Sequence, residues 1–160
     1  MEAQGTGFQA TGRGFHVLVV DDNEDTAESL CALLRIWGYH CQACYDAVAG
    51  LRAACELPRD CLVVDIDMPG FVGHTLAQKV RTQPGFDRTI LVALTFHSDE
   101  AHVQSSREAG FDFHLVKPME PAQVKRLKKL MDSLSELVQL AVNTEELARQ
   151  HVAAVRCGAT

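Results

Sequence analysis

The stretch CLVVDIDMPGFVG, residues 61–73, sets the reading of the whole chain. Its opening residues form a near-continuous apolar run, the pattern of a strand covered on both faces, and the run stops at the charge of Asp65. The same form recurs on either side of it. Apolar runs predict strands at residues 15–20, 40–44, 90–94 and 113–116, beside the one at 61–64. Helical stretches fall between them near residues 24–36, 46–56, 74–82 and 99–109, with another from about Glu120. Strands joined by helices of this length imply an α/β fold, a doubly wound parallel sheet with helices on both faces. Gly38, Gly73 and Gly110 fall where helices begin or end, positions that suit glycine's backbone freedom.

The 160 residues suffice for one domain with short appendages, and 47% hydrophobic with 22% charged residues is the composition of a folded globular chain. The net charge of −6 offers no basic stripe, so nucleic acid is not an expected partner. No run approaches the ~18 apolar residues of a membrane span. The start, MEAQGTGFQATGRG, has no apolar stretch of the secretory kind; a cytoplasmic location with six free cysteines is expected. Cys41 and Cys44, spaced as Cys-x-x-Cys, lie on one strand and point to opposite faces, which favours packing over metal or redox chemistry.

The polar residues that follow the strands carry the chemistry. The first strand ends in Asp21 and Asp22, the third in Asp65, the fourth in Thr95 and the fifth in Lys117. In open α/β sheets ligands sit at the carboxyl ends of the strands, where strand order reverses. If that order is 2-1-3-4-5, three carboxylates converge there with a hydroxyl and an ammonium. Crowded carboxylates repel unless a cation compensates, and Mg²⁺ suits such oxygen donors. A carboxylate can also act as a nucleophile toward phosphorus, with Lys117 and Thr95 neutralising the transferring group.

The segments VLVVDDNED, CLVVDIDMPGFVG, LVALT and HLVKP resemble the signature blocks of response-regulator receivers of two-component phosphorelays. Each block alone is weak; four in order, each at a strand end, are specific. The resemblance covers about residues 15–131 and implies a flavodoxin-like five-stranded sheet. By it, Asp65 is the phosphoacceptor, Asp22 a direct Mg²⁺ ligand, Asp21 a helper through water, and Asp67 a ligand through its main-chain carbonyl. Thr95 and Lys117 contact the phosphoryl group, Thr95 and His114 are switch residues, and the Lys117–Pro118 bond is cis. The implied donor is a histidine kinase or a histidine phosphotransfer protein, and a downstream protein is the target. Such a domain turns over no separate substrate and is not counted an enzyme.

Some positions depart from the pattern. Phe96 stands where a small residue is usual, His114 where Tyr or Phe is commonest, and Val72 where Asp is frequent. His97, two after Thr95, is placed either to tune hydrolysis or to be an ordinary loop residue. The alternative is a haloacid-dehalogenase-type phosphohydrolase using Asp65 and Asp67, since Asp-x-Asp after a strand resembles that family's motif. Against it, the motif here ends the third strand rather than the first, and the chain is short for a capped enzyme.

Three segments are therefore expected: a flexible tail at 1–14, a receiver at 15–131 and a helical extension at 132–160. SREAGFDFHLVKPMEP resembles receivers of hybrid histidine kinases, whereas the initiator Met favours a complete small protein. In the extension, Asn143 followed by Glu146 reads as a capping box that starts a second short helix. Apolar residues spaced by three and four from Leu127 to Ala148 outlast one sheet face. They predict a homodimer with Leu134 and Leu137 at the contact between copies, and with Glu136 and Arg149 solvated.

Overall fold

A computed structural model of the chain describes residues 14–69 and 73–158. All but the last residue of the expected tail, together with Val72, lie outside the described residues. The strands are β1 (His16–Val20), β2 (His40–Cys44), β3 (Cys61–Asp65), β4 (Ile90–Thr95) and β5 (Phe113–Val116). The helices are α1 (Glu24–Ile36), α2 (Ala47–Glu56), α3 (Gly73–Thr82), α4 (Glu100–Ala109) and α5 (Pro121–Gly158). Hydrogen-bonded neighbours follow the order β2-β1-β3-β4-β5, all parallel. This is the flavodoxin-like sheet that the resemblance implied.

Alternation along the strands builds two cores. Val17, Val19, Cys61, Val63, Val92 and Leu94 face α1 and α5. Leu18, Val20, Leu62, Val64, Leu91 and Ala93 face α2, α3 and α4. Helix starts are fixed locally: Asn23, Asp46 and Asp99 each accept a backbone N–H three residues on, from Thr26, Ala49 and His102. Gly110 ends α4 with φ at 110°, a left-handed turn that a side chain would resist. At Gly73 the reason for glycine is space. A Cβ there would sit 2.7 Å from Ile66 Cα and 2.9 Å from the Asp65 carbonyl oxygen, so α3 starts pressed against the end of β3.

Three expectations are corrected. First, α5 is one unbroken helix of 38 residues, and no second helix starts at Asn143. The Asn143 side chain accepts from Gln139 Nε2 (2.9 Å), and Thr144 Oγ1 donates to the Leu140 carbonyl (2.8 Å), so both polar groups are satisfied inside the helix. Second, Leu134 is no surface contact: it is buried with Leu127 and Met131 in the core that α5 shares with α1. Leu137 is 61% exposed on the single chain, and Glu136 and Arg149 are exposed, as expected of residues outside the stripe. Third, Cys31 of α1 and Cys41 of β2 are joined as a disulfide, while the other four cysteines are free. The face of β2 to which Cys41 points is the one α1 covers, which brings the two sulfurs together. No helix among the described residues is long and apolar enough to cross a membrane.

Candidate functional site

The carboxyl ends of β1, β3, β4 and β5 bring five sequence-selected residues together. Asp21 follows β1 and is buried; Asp22 beside it is exposed. Asp65 closes β3 and Thr95 closes β4, both buried. Lys117 follows β5, its backbone N–H held by the Thr95 carbonyl at 2.7 Å, and the Lys117–Pro118 peptide bond is cis. The ammonium reaches back across the sheet end, 3.1 Å from Asp65 Oδ2 and 3.4 Å from Asp21 Oδ2.

The electrostatics are unbalanced. Carboxylate oxygens of Asp21, Asp22 and Asp65 lie within 4.8 Å of one another, against the single ammonium of Lys117. Burial pushes the Asp65 carboxyl up to about 6, and Asp21 adds to the rise; the Asp67 N–H (2.9 Å) and Lys117 pull the other way. Surplus negative charge on three hard oxygen donors fits a divalent ion of the Mg²⁺ type. These groups line a cleft of about 720 Å³ whose far wall, with Leu30, Leu33, Met119 and Val124, lies between α1 and α5. Phe96 is 63% exposed, its ring 5.2 Å from Lys117 Nζ, so it partly roofs the ammonium.

Asp67 has a role that its sequence position did not reveal. Its carboxylate accepts from the Thr95 hydroxyl (3.0 and 3.2 Å) and from the Phe96 N–H (2.9 Å). Thr95 is thus held by a carboxylate from the loop after β3, on a residue expected to act through its main-chain carbonyl. The carboxylate that the phosphohydrolase alternative would use is occupied here by these two donors, and the family match given below does not favour that alternative. His114 donates from Nε2 to the His97 carbonyl at 2.8 Å, while its Nδ1 is buried with no hydrogen-bond partner. The ring therefore anchors the loop two residues beyond Thr95.

The chain matches the family model of the response regulator receiver domain over residues 17–129. It is 30% identical over 130 residues to the DNA-binding response regulator MtrA of Mycobacterium tuberculosis, covering 78% of this chain and 56% of that one. It is 36% identical over 116 residues to the transcriptional regulatory protein PrrA of Mycobacterium bovis, covering 72% and 49%. The chain thus spans about half the length of these curated relatives. Among solved structures it resembles the chemotaxis protein CheY4 of Vibrio cholerae, with a TM-score of 0.69, 27% identity, and coverage of 75% of this chain and 98% of that one. It also resembles the receiver domain of the Pseudomonas aeruginosa sensor histidine kinase PA1611, solved with a magnesium ion in its active-site cleft; there the TM-score is 0.64 and identity 26%, with 73% and 96% covered. An acidic cleft at the switch point of a 2-1-3-4-5 sheet and a family match over most of the chain lead to one assignment: the chain belongs to the response regulator receiver family of two-component systems.

Proposed function

We propose that the chain is a phosphorylation-controlled switch in which Asp65 accepts a phosphoryl group from a phosphohistidine donor, a histidine kinase or a histidine phosphotransfer protein. The observation that carries the reading is the Lys117 ammonium 3.1 Å from Asp65 Oδ2, beside two further carboxylates. An Asp65 oxygen attacks phosphorus, the P–N bond breaks, and the donor imidazole keeps the electron pair and is reprotonated. Asp22, Asp65 and the Asp67 main-chain carbonyl would hold Mg²⁺, with Asp21 assisting through water; the ion would supply charge neutralisation for the phosphoryl oxygens. Lys117 pairs with the group that forms, and Thr95 must leave Asp67 to reach it. Because Lys117 follows β5 and the Phe96–His97 loop follows Thr95, that exchange reaches the surface where His114 rests. A downstream protein would read that surface. The chain turns over no separate substrate, works in the cytoplasm, and binds protein rather than nucleic acid by itself.

The test uses acetyl phosphate and Mg²⁺ with intact-mass detection. The wild type gains one hydroxylamine-labile phosphoryl group, and Asp65→Asn gains none while keeping its fold. A labile phosphoryl group on the variant refutes the assignment.

We also propose that the exposed part of α5 pairs two copies of the chain. Leu137, Leu140 and Leu147 are each more than 60% exposed on it, and apolar surface left in water costs roughly 25 cal/mol per Å². Sedimentation should show a concentration-dependent dimer that Leu140→Glu/Leu147→Glu abolishes; a monomer at all concentrations, phosphorylated or not, refutes it.

A further inference from the structure

Beside the carboxylate cleft, the turn from β4 into α4 gathers a different set of donors. His97, Asp99 and His102 are all exposed, and one ligand atom from each lies within 4.8 Å of the others. Asp99 caps α4, accepting the His102 backbone N–H at 3.1 Å, and its other oxygen accepts His102 Nδ1–H at 2.5 Å. The His97 and His102 rings stack with centroids 4.3 Å apart and planes 10° from parallel. A fourth group stands near: Asp67 Oδ1 is 4.0 Å from His97 Nε2.

We propose that His97, Asp99 and His102 form a second metal site, selective for a borderline divalent transition-metal ion such as Zn²⁺. Two imidazoles and one carboxylate are donors that Zn²⁺ favours, while Mg²⁺ prefers the all-oxygen cluster across the sheet end. The amino end of a helix disfavours a cation, but here Asp99 at the cap and Glu100 in the first turn, with Asp67 beyond, supply the opposing charge. For Nδ1 to ligate, the proton it donates to Asp99 must leave that nitrogen: a neutral ring moves it to Nε2 through solvent, and a protonated ring releases it, as the N–Zn and O–Zn bonds form. The third bond comes from His97, and water takes the fourth position. Metal–ligand distances of about 2.0–2.2 Å require the three side chains to close inward, which their exposure permits. The ion would staple the loop after Thr95 to the start of α4.

Zinc titration of the untagged chain tests the site, with both exposed free thiols removed (Cys55→Ser, Cys157→Ser) and Mg²⁺ in large excess. Calorimetry against a weak competing chelator should give one Zn²⁺ per chain in the micromolar range. His97→Gln and His102→Gln should each weaken binding about ten-fold or more, the loss typical of disturbing a metal shell. Asp99→Asn keeps a capping oxygen and should weaken Zn²⁺ while leaving thermal stability nearly unchanged. No micromolar binding, or binding indifferent to both histidine substitutions, overturns the proposal, and Zn²⁺ affinity unchanged in Asp99→Asn overturns the three-ligand set.

Discussion

The two ends of the sheet are held in opposite ways. At the carboxyl end three carboxylates share one ammonium, and burial pushes Asp65 up to about 6. At the amino end of β4 and β5 a single guanidinium is satisfied on every side. Arg81, in the last turn of α3, donates to the carbonyls of Gly110 (2.9 and 3.1 Å), Thr89 (2.7 Å) and Phe86 (3.2 Å), and pairs with Asp112 at 2.7 Å. Asp112 in turn accepts the Leu91 N–H. One end stores unbalanced charge for a ligand to relieve; the other spends its polar groups on closing the loops between strands. Stability and chemistry are thereby kept apart along the strand direction.

The sharpest way to break this contrast is Arg81→Ala. It would take this donor from the Gly110 and Thr89 carbonyls and the ion-pair partner from Asp112, and unfolding free energy should fall by about 3 kcal/mol in urea denaturation. A loss under about 1 kcal/mol would mean that the amino end is not held by this network.

At the other end, Asp65→Asn should raise stability in metal-free buffer at pH 7, by on the order of 1 kcal/mol. The sign follows from the raised carboxyl. Asp65 favours the folded state fully below its unfolded value near 3.8, and that contribution is lost as pH rises through about 6. The rise, already net of the Lys117 attraction, is worth up to about 3 kcal/mol at 1.36 per pH unit, and relaxation of the site around the ionised carboxylate reduces it. The difference between wild type and variant should therefore shrink on acidification from pH 7 to 5. A variant less stable than wild type at pH 7 would show that the Lys117 attraction outweighs burial.

The smallest effect is expected from Glu145→Ala. Glu145 pairs with Arg88 at 3.0 Å, but their side chains are 51% and 86% exposed, and such pairs contribute under about 1 kcal/mol. An unfolding midpoint shift comparable to that of Arg81→Ala would dissolve the distinction between a half-buried network and a surface pair.

Much of this was legible in the sequence, for reasons specific to each element. The inner strands β1, β3 and β4 read clearly because both faces are covered, leaving runs such as ILVAL without polar interruption. Asp21, Asp22, Asp65, Thr95 and Lys117 could be chosen because a parallel sheet gathers the residues after its strands at one edge. The hold of Asp67 on Thr95 and Phe96 was not legible, since it joins two loops whose geometry no local pattern encodes. Asn143 and Glu146 misled because their spacing fits both a helix start and an interior turn, and Gln139 and Leu140 decide for the interior. Cys31 and Cys41 are only 10 residues apart, but their pairing depends on the angle at which α1 crosses β2.

The length of α5 has a mechanical consequence. Leu127, Met131 and Leu134 root the helix against the sheet, and every residue from Ala141 to Cys157 is exposed. Val138 still packs on the core and Glu145 pairs with Arg88, so the free portion runs from Glu146 to Gly158, about 20 Å at 1.5 Å per residue, and a tilt of about 10° at its root sweeps the tip through roughly 3 Å. A displacement too small to notice in the packing around Met131 becomes, at that distance, a movement of about two residues' rise along the helix. The helix is a lever whose fulcrum is the domain core, and whatever grips its far end feels that core's adjustments magnified.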